Sequence, residues 1–359
     1  MGKRYNSFHP GQVWLDTKGE RIQAHGGSIL YMDGTYYWYG ENKEKTDGKS
    51  GFWHWGVRCY TSTDLYNWED QGLIIPPEPD DLKSSLHPTA CVDRPHIIYN
   101  KRTKKYVCWL KVMDYEDQTQ AETVLIADHI LGPYQKVRER IHPLGMNAGD
   151  FDLAIADDGK AYYFFERVHS EIICADLTDD YTDVTGYYST HFPHIAPPYV
   201  REAPCHFIHD GRHYLITSGT TGYFPNPSEV AVADTWHGPY TVLGNPHPSD
   251  ESNTSFHSQI SCVFKVEGKK DLYIAMADRW CPEDMDLPYD FCRDMFEYIF
   301  QGKAHLIPEL IASYGIKTPP PVDQQRNTSI ADYVWLPLRF DGENVFIDWK
   351  DEWRIEDYD

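Results

Sequence analysis

One phrase recurs through the chain and restricts its fold more than any other feature: a glycine-containing or charged turn followed by a tyrosine-rich alternating strand. Five copies are present, DGTYYWYGE from Asp33, TKKYVCWLK from Thr103, DGKAYYFFE from Asp158, DGRHYLITS from Asp210 and GKKDLYIAMAD from Gly268. They start roughly 50 to 70 residues apart, a period that signals repeat architectures. Each is preceded by another short apolar strand (GGSILYM, RPHIIYN, FDLAIAD, APCHFIH, SCVFKVE), so each unit opens with a hairpin. Four units continue into two further strands, in CYTSTDLYNWEDQG, VLIADHILGPYQKV, IICADLTDDYTDV and VAVADTWHGPYTVL.

A four-stranded sheet cannot bury both of its faces alone, so five such units must stack on one another around an axis. The predicted fold is all-β: a single five-bladed β-propeller over residues 1–359, with four-stranded antiparallel blades around a central funnel. The fifth unit is interrupted at about 281–327 by a helical stretch, DFCRDMFEYIFQ, and a proline-rich run, KTPPPV, read as an insertion flanking the mouth. Strand pattern resumes in DYVWLPLRFDGENVFIDWKDEW and completes the blade, and GQVWLDTKGERIQ near the N-terminus helps close the ring. A β-sandwich would accept the strand spacing but not the repeated hairpin order.

Composition narrows the partners. With 55 acidic against 33 basic residues the formal charge is -22, which repels polyanions and argues against nucleic acid. No apolar run approaches the length of a membrane span, and the opening MGKRYNSFHPGQ lacks the apolar core of a secretory signal. The expected location is cytoplasmic, or extracellular if the sequence is a trimmed secreted form. Eight scattered cysteines, with no CxxC pair, read as free buried thiols.

In a propeller the first strand of each blade lines the channel, so polar residues there converge. Those strands supply His25, Asp93, Asp150 with Asp152, Glu202 and Gln259. Carboxylates at such positions are costly to bury and no hairpin requires them. Clustered acids suit glycoside hydrolysis, which needs one carboxylic acid kept protonated and a second group to activate water. For each there is a structural alternative: Glu202 could pair with Arg201, Asp93 with Arg94, Asp150 could cap a turn, Asp152 could be a strand-face residue, and Glu41 could be a solvated strand end. Trp53, Trp55 and Phe224 read either as core or as a platform for sugar stacking. His25 and His206 read as structural more readily than as ligands. No metal triad, phosphate loop or nucleophile elbow is present. No cofactor is required, although a structural divalent ion in the channel is compatible with the reading.

Through RIQAHGGSILYMDGTYYWYGEN, GDFDLAIADDGKAYYFFE, REAPCHFIHDGRHYLITSGTTG and FHSQISCVF the chain resembles glycoside hydrolase family 43, in particular its exo-β-1,3-galactanase branch. The resemblance implies Glu202 as general acid and Asp150 as the group that tunes and orients it. Most of the wider family carries a general-base aspartate in the first blade, where this chain has Gly26; the galactanase branch shares that gap and is thought to hold the attacking water with a glutamine that matches Gln259. Asp93 stands where those relatives usually have glutamate. Glu41 and Thr220 or Thr221 match contacts to the terminal galactose, and His25 and Trp53 join them as candidate substrate-binding residues. The expected activity is inverting, exo-acting removal of a terminal sugar, most simply galactose from β-1,3-galactan oligosaccharides or polysaccharide. The alternatives are an α-L-arabinofuranosidase, a β-galactofuranosidase or a sugar-binding propeller without turnover.

Overall fold

The computed structural model describes residues 4–113, 119–317 and 326–359. Five four-stranded antiparallel sheets are built from consecutive stretches of chain. The first blade comprises β1 (His25–Met32), β2 (Thr35–Glu41), β3 (Val57–Ser62) and β4 (Glu69–Ile75). The second comprises β5 (Cys91–Asn100), β6 (Lys105–Met113), β7 (Gln120–Ala127) and β8 (Gln135–Ile141). The third comprises β9 (Ala148–Ile155), β10 (Ala161–Arg167), β11 (Glu171–Leu177) and β12 (Val184–His191). The fourth comprises β13 (Arg201–His209), β14 (Arg212–Gly219), β15 (Glu229–Ala233) and β16 (Thr241–Gly244). The fifth comprises β17 (Gln259–Lys265), β18 (Tyr273–Arg279), β19 (Asp332–Asp341) and β20 (Asn344–Ile347). The tyrosine-rich phrases are the second strands, so the fold is the five-bladed propeller that their repetition predicts.

Stacked blades bury their faces against each other, and each junction has its own apolar core. Trp38, Trp68, Ile274, Trp335 and Trp353 fill the junction of blades five and one; Trp109, Phe151, Tyr163 and Phe165 fill that of blades two and three. Aromatic side chains suit these wedges because one ring spans the gap between two sheets. The inner strands β1, β5, β9, β13 and β17 abut in sequence, and β1 meets β17 to close the ring.

Among the described residues no strand is exchanged between the chain ends. Phe8 and Trp353 instead exchange backbone hydrogen bonds of 2.9 and 3.2 Å, their rings stacking at 4.4 Å, and Gly11 N–H donates to Tyr333 O at 2.7 Å. The N-terminal stretch thus fastens the ring across β19 without adding a strand to a blade.

Between β18 and β19 lie α1 (Tyr289–Phe300) and α2 (Ile307–Ser313). Phe291, Cys292, Met295 and Leu310 form a small core with Phe224. The proline-rich run beyond Lys317 lies outside the described residues. All eight cysteines are free and buried.

One irregularity recurs at the mouth. Register shifts fall between His25 and Ser28 on β1, Asp93 and His96 on β5, Glu202 and Cys205 on β13, and Ile260 and Cys262 on β17. On the third blade the shift falls between Phe165 and Arg167, opposite the stretch holding Asp150. A bulge inserts an unpaired residue and re-aims the side chains beside it. Arg94 and Ala203 take the left-handed backbone this requires, with φ of 54° and 48°.

Candidate active site

The bulged starts of the inner strands surround an open cavity of about 170 Å³. Glu41, Asp93, Asp150, Glu202 and Gln259 reach its wall from five different blades, with Arg94, Lys111, Tyr223 and Trp280 between them.

Two cations organise the carboxylates. Lys111 Nζ lies 2.7 Å from Asp150 Oδ1 and 3.2 Å from Asp93 Oδ2. Arg94 Nη2 lies 3.1 Å from Asp150 Oδ2 and donates to Gln259 Oε1 at 2.7 Å. Burial alone would favour a neutral Asp150, but the charges of Arg94 and Lys111 outweigh it and hold its pKa down to about 2. Burial likewise opposes ionisation of Asp93, and Lys111 and Lys43 keep it below the usual aspartate value.

Glu202 has the opposite environment. Burial, then the negative charges of Asp150 and Glu166, push its pKa well above the ordinary carboxylate range. Neither cation of the site forms an ion pair with it; Gln259 Nε2 donates to its Oε1 at 3.3 Å. Arg201 is turned away, donating to Thr217 Oγ1 at 2.9 Å, so the adjacent-residue ion pair does not form. A carboxyl whose surroundings favour the protonated form thus shares the cavity with one whose surroundings favour the ionised form, an arrangement suited to acid catalysis.

The Gln259 amide is fully committed. Its Oε1 accepts from Arg94 and from Trp280 Nε1 at 3.3 Å, while its Nε2 donates to Glu202 and to Ser218 Oγ at 2.9 Å. The four bonds fix which end is oxygen.

Trp53 forms part of the wall, its Nε1 donating to Asp93 Oδ1 at 2.7 Å and its ring stacking near Tyr223 at 6.0 Å. Glu41 is buried, accepts from Arg94 N–H at 3.0 Å and has Lys43 Nζ 2.7 Å from its Oε2. Burial raises its pKa to about 7.

Other expected contacts lie elsewhere. His25 is fully buried behind the wall, its Nδ1 3.0 Å from Asp278 Oδ1 and its ring stacked on Tyr333, so it does not reach the cavity. Thr220 and Thr221 turn their hydroxyls inward, to Val200 O at 3.0 Å and Phe224 O at 2.5 Å; they anchor the loop that presents Gly222 and Tyr223. Phe224 belongs to the core beneath α1, not to a platform, and Trp55 carries Lys45 over its ring. Asp152 pairs with His96 at 2.8 Å and accepts from His206 N–H.

Sequence reading missed Lys111, Lys43, Tyr223 and Trp280, and took Arg94 only as a partner for Asp93. One signal was available: Lys111 ends the apolar run YVCWL and pairs in register with Asp93. Among the described residues the grouping of His, Asp, Glu or Cys atoms close enough to share a cation is His209, Asp210 and Asp271, at hairpin ends remote from the strand starts. No described helix is long and apolar enough to cross a membrane.

Residues 22–276 match the profile of glycosyl hydrolases family 43. The chain belongs to this family. The family is one of glycoside hydrolases. A family 43 β-1,3-galactosidase is 29% identical with a TM-score of 0.77, over 99% of this chain and 65% of that one, so this family 43 chain spans about two thirds of that relative's length. A second, solved with galactodeoxynojirimycin, is 27% identical with a TM-score of 0.75, over 97% of this chain and 100% of that one. The exo-β-1,3-galactanase of Phanerochaete chrysosporium, solved with β-1,3-galactotriose, is 25% identical with a TM-score of 0.75, over 98% and 68% of the two chains. No curated protein matches the chain at a significant level.

Proposed function

We propose that this hydrolase removes terminal galactose from β-1,3-linked galactan oligosaccharides, acting from the chain end with inversion at the anomeric carbon. The observation that carries the reading is the pairing of an acid and an anion in one cavity: Glu202, raised by burial and by its neighbours' charge, beside Asp150, held ionised by Arg94 and Lys111. Glu202 gives its proton to the departing glycosidic oxygen, and Asp150 keeps the pKa of Glu202 high enough for it to be protonated when substrate arrives. Gln259 acts from the acid's own side, orienting it through the 3.3 Å hydrogen bond. Trp53 and Tyr223 supply the apolar faces on which a pyranose ring rests.

Galactose as the terminal sugar is supported by the relatives solved with galactodeoxynojirimycin and with β-1,3-galactotriose. A panel of nitrophenyl glycosides with β-1,3-galactobiose tests it. Turnover of the galactobiose and of the β-galactoside is expected; turnover confined to α-L-arabinofuranoside or β-galactofuranoside would reassign the sugar. Binding of galactose with no turnover of any glycoside would make the chain a lectin.

A further inference from the structure

The face of the ring opposite the cavity carries a cluster that the hydrolytic site does not use. β13 starts at the mouth with Arg201 and Glu202 and ends on the far face at His209, where a turn through Asp210 and Gly211 leads into β14. In the fifth blade the loop before β18 brings Asp271 to the same place. A ring nitrogen of His209 and one carboxylate oxygen each of Asp210 and Asp271 lie within 4.8 Å of one another. Tyr273 donates its hydroxyl to Ile208 O at 2.8 Å and holds the two hairpins together.

His209 is the unusual member. Its side chain is 9% exposed, and among the described residues neither ring nitrogen makes a hydrogen bond. Its Nε2 points toward Asp210, 3.6 Å from Oδ2. Such a buried polar group is costly unless something binds it. The ring has little freedom to turn elsewhere: it stacks on Phe340 at 3.6 Å and 11°, and Tyr273 stands nearly perpendicular to it at 5.5 Å.

We propose that His209, Asp210 and Asp271 hold one divalent transition-metal ion of the Zn²⁺ class, which joins blades four and five on this face. An imidazole nitrogen selects this class over Ca²⁺ and Mg²⁺, which take oxygen ligands. Ligands of a tetrahedral Zn²⁺ stand roughly 3.3 Å apart. The cluster reaches that spacing by rotation of Asp210 and Asp271, whose side chains are 86% and 52% exposed, while the packed imidazole stays where it is. Water takes the fourth position.

The surrounding charges admit a cation. Lys270 Nζ lies 3.7 Å from Asp271 Oδ2, but its side chain is 83% exposed, so it moves into solvent at little cost. Arg212 pairs with Asp234 and Glu343 and stays engaged with them. The formal charge of -22 adds a general attraction for cations. Bound to both hairpins, the ion fixes the far ends of the blades whose inner strands carry Glu202 and Gln259 at the mouth.

The test uses the intact chain, stripped with a chelator and followed by calorimetry. Titration with ZnCl₂ should show one site per chain, and excess Zn²⁺ should raise Tm by about 3 °C or more. CaCl₂ should do neither. Asp210→Asn and Asp271→Asn change exposed carboxylates and leave the packing of His209 untouched. Each should keep the parent's Tm in chelator, weaken Zn²⁺ binding by about 10-fold or more and lose the rise in Tm. His209→Gln should lose both responses as well. A parent chain that binds no Zn²⁺ overturns the proposal. So does a site that either aspartate variant keeps at parental affinity, which places the ion on other histidines. An equal response to CaCl₂ overturns the part given to His209.

Discussion

Lys111 Nζ lies 2.7 Å from Asp150 Oδ1, joining the second blade to the third at the floor of the cavity. The pair keeps a negative charge fixed beside Glu202, and that charge is one reason Glu202 holds its proton. Replacing Lys111 by Met removes a cation shared by two carboxylates. Asp150 keeps Arg94 and stays ionised near neutral pH, while Glu202 loses a positive charge that lowers its pKa, and kcat/KM should fall by about 10-fold or more because Asp93 and Asp150 are no longer held together. Steady-state kinetics over pH should show the alkaline limb displaced to higher pH.

Removing the acid itself has a different signature. With Glu202→Gln no proton reaches the leaving oxygen, so kcat for β-1,3-galactobiose should fall on the order of 10³-fold, and much less for an aryl galactoside whose phenolate leaves unaided. Because the Glu202 pKa is raised, the parent enzyme should lose activity as pH rises through it. The variant should lack that limb. Equal losses for both substrates would argue against proton donation by Glu202.

The Asp150 pair also links stability to acid. Its folded pKa of about 2 lies below that of an unfolded aspartate, so the ionised group adds stability above the unfolded value and loses it as pH falls toward 2. The contribution is on the order of 2 kcal/mol. Asp150→Asn should therefore flatten the dependence of Tm on pH between about 5 and 2, measured by calorimetry.

Trp53 meets Asp93 through its indole nitrogen and lines the cavity as part of its wall. Trp53→Phe keeps an aromatic ring but removes the Nε1–H donor at 2.7 Å from Asp93. KM should rise a few-fold, and Trp53→Ala should raise it by about 10-fold or more. Equal KM values for the two variants would assign the whole effect to the hydrogen bond.

Trp335 tests the packing of the ring. It is fully buried between blades five and one, against Trp14, Trp38 and Trp68. Trp335→Ala should cost about 3–5 kcal/mol, read as a fall in denaturant midpoint.

The repeating hairpins made the fold legible because each second strand carries the same alternation of tyrosines and apolar residues. Glu202, Asp150 and Gln259 were legible for a related reason: they are polar residues at the starts of strands that must line the channel. What pairs with them was not. Arg94 follows Asp93 in the chain but reaches Asp150, because the bulge at that point turns neighbouring side chains to different partners. Tyr223 sits in a loop whose path is set by Thr220, Thr221 and Asn226, so the residues that resembled sugar contacts instead position a residue of the cavity wall. His25 was misleading because a fully buried histidine and a mouth-facing one share the same strand start, and only the bonds to Asp278 and Tyr333 distinguish them.

The bulges at the mouth separate two tasks along every inner strand. Below each irregularity the alternation of side chains obeys the ladder and feeds the inter-blade cores; above it the pairing resumes with one residue gained on the inner strand, so the rim side chains are set independently of the alternation beneath. Exchanges at the rim can therefore retune which sugar is accepted while the wedges beneath keep their inside and outside faces.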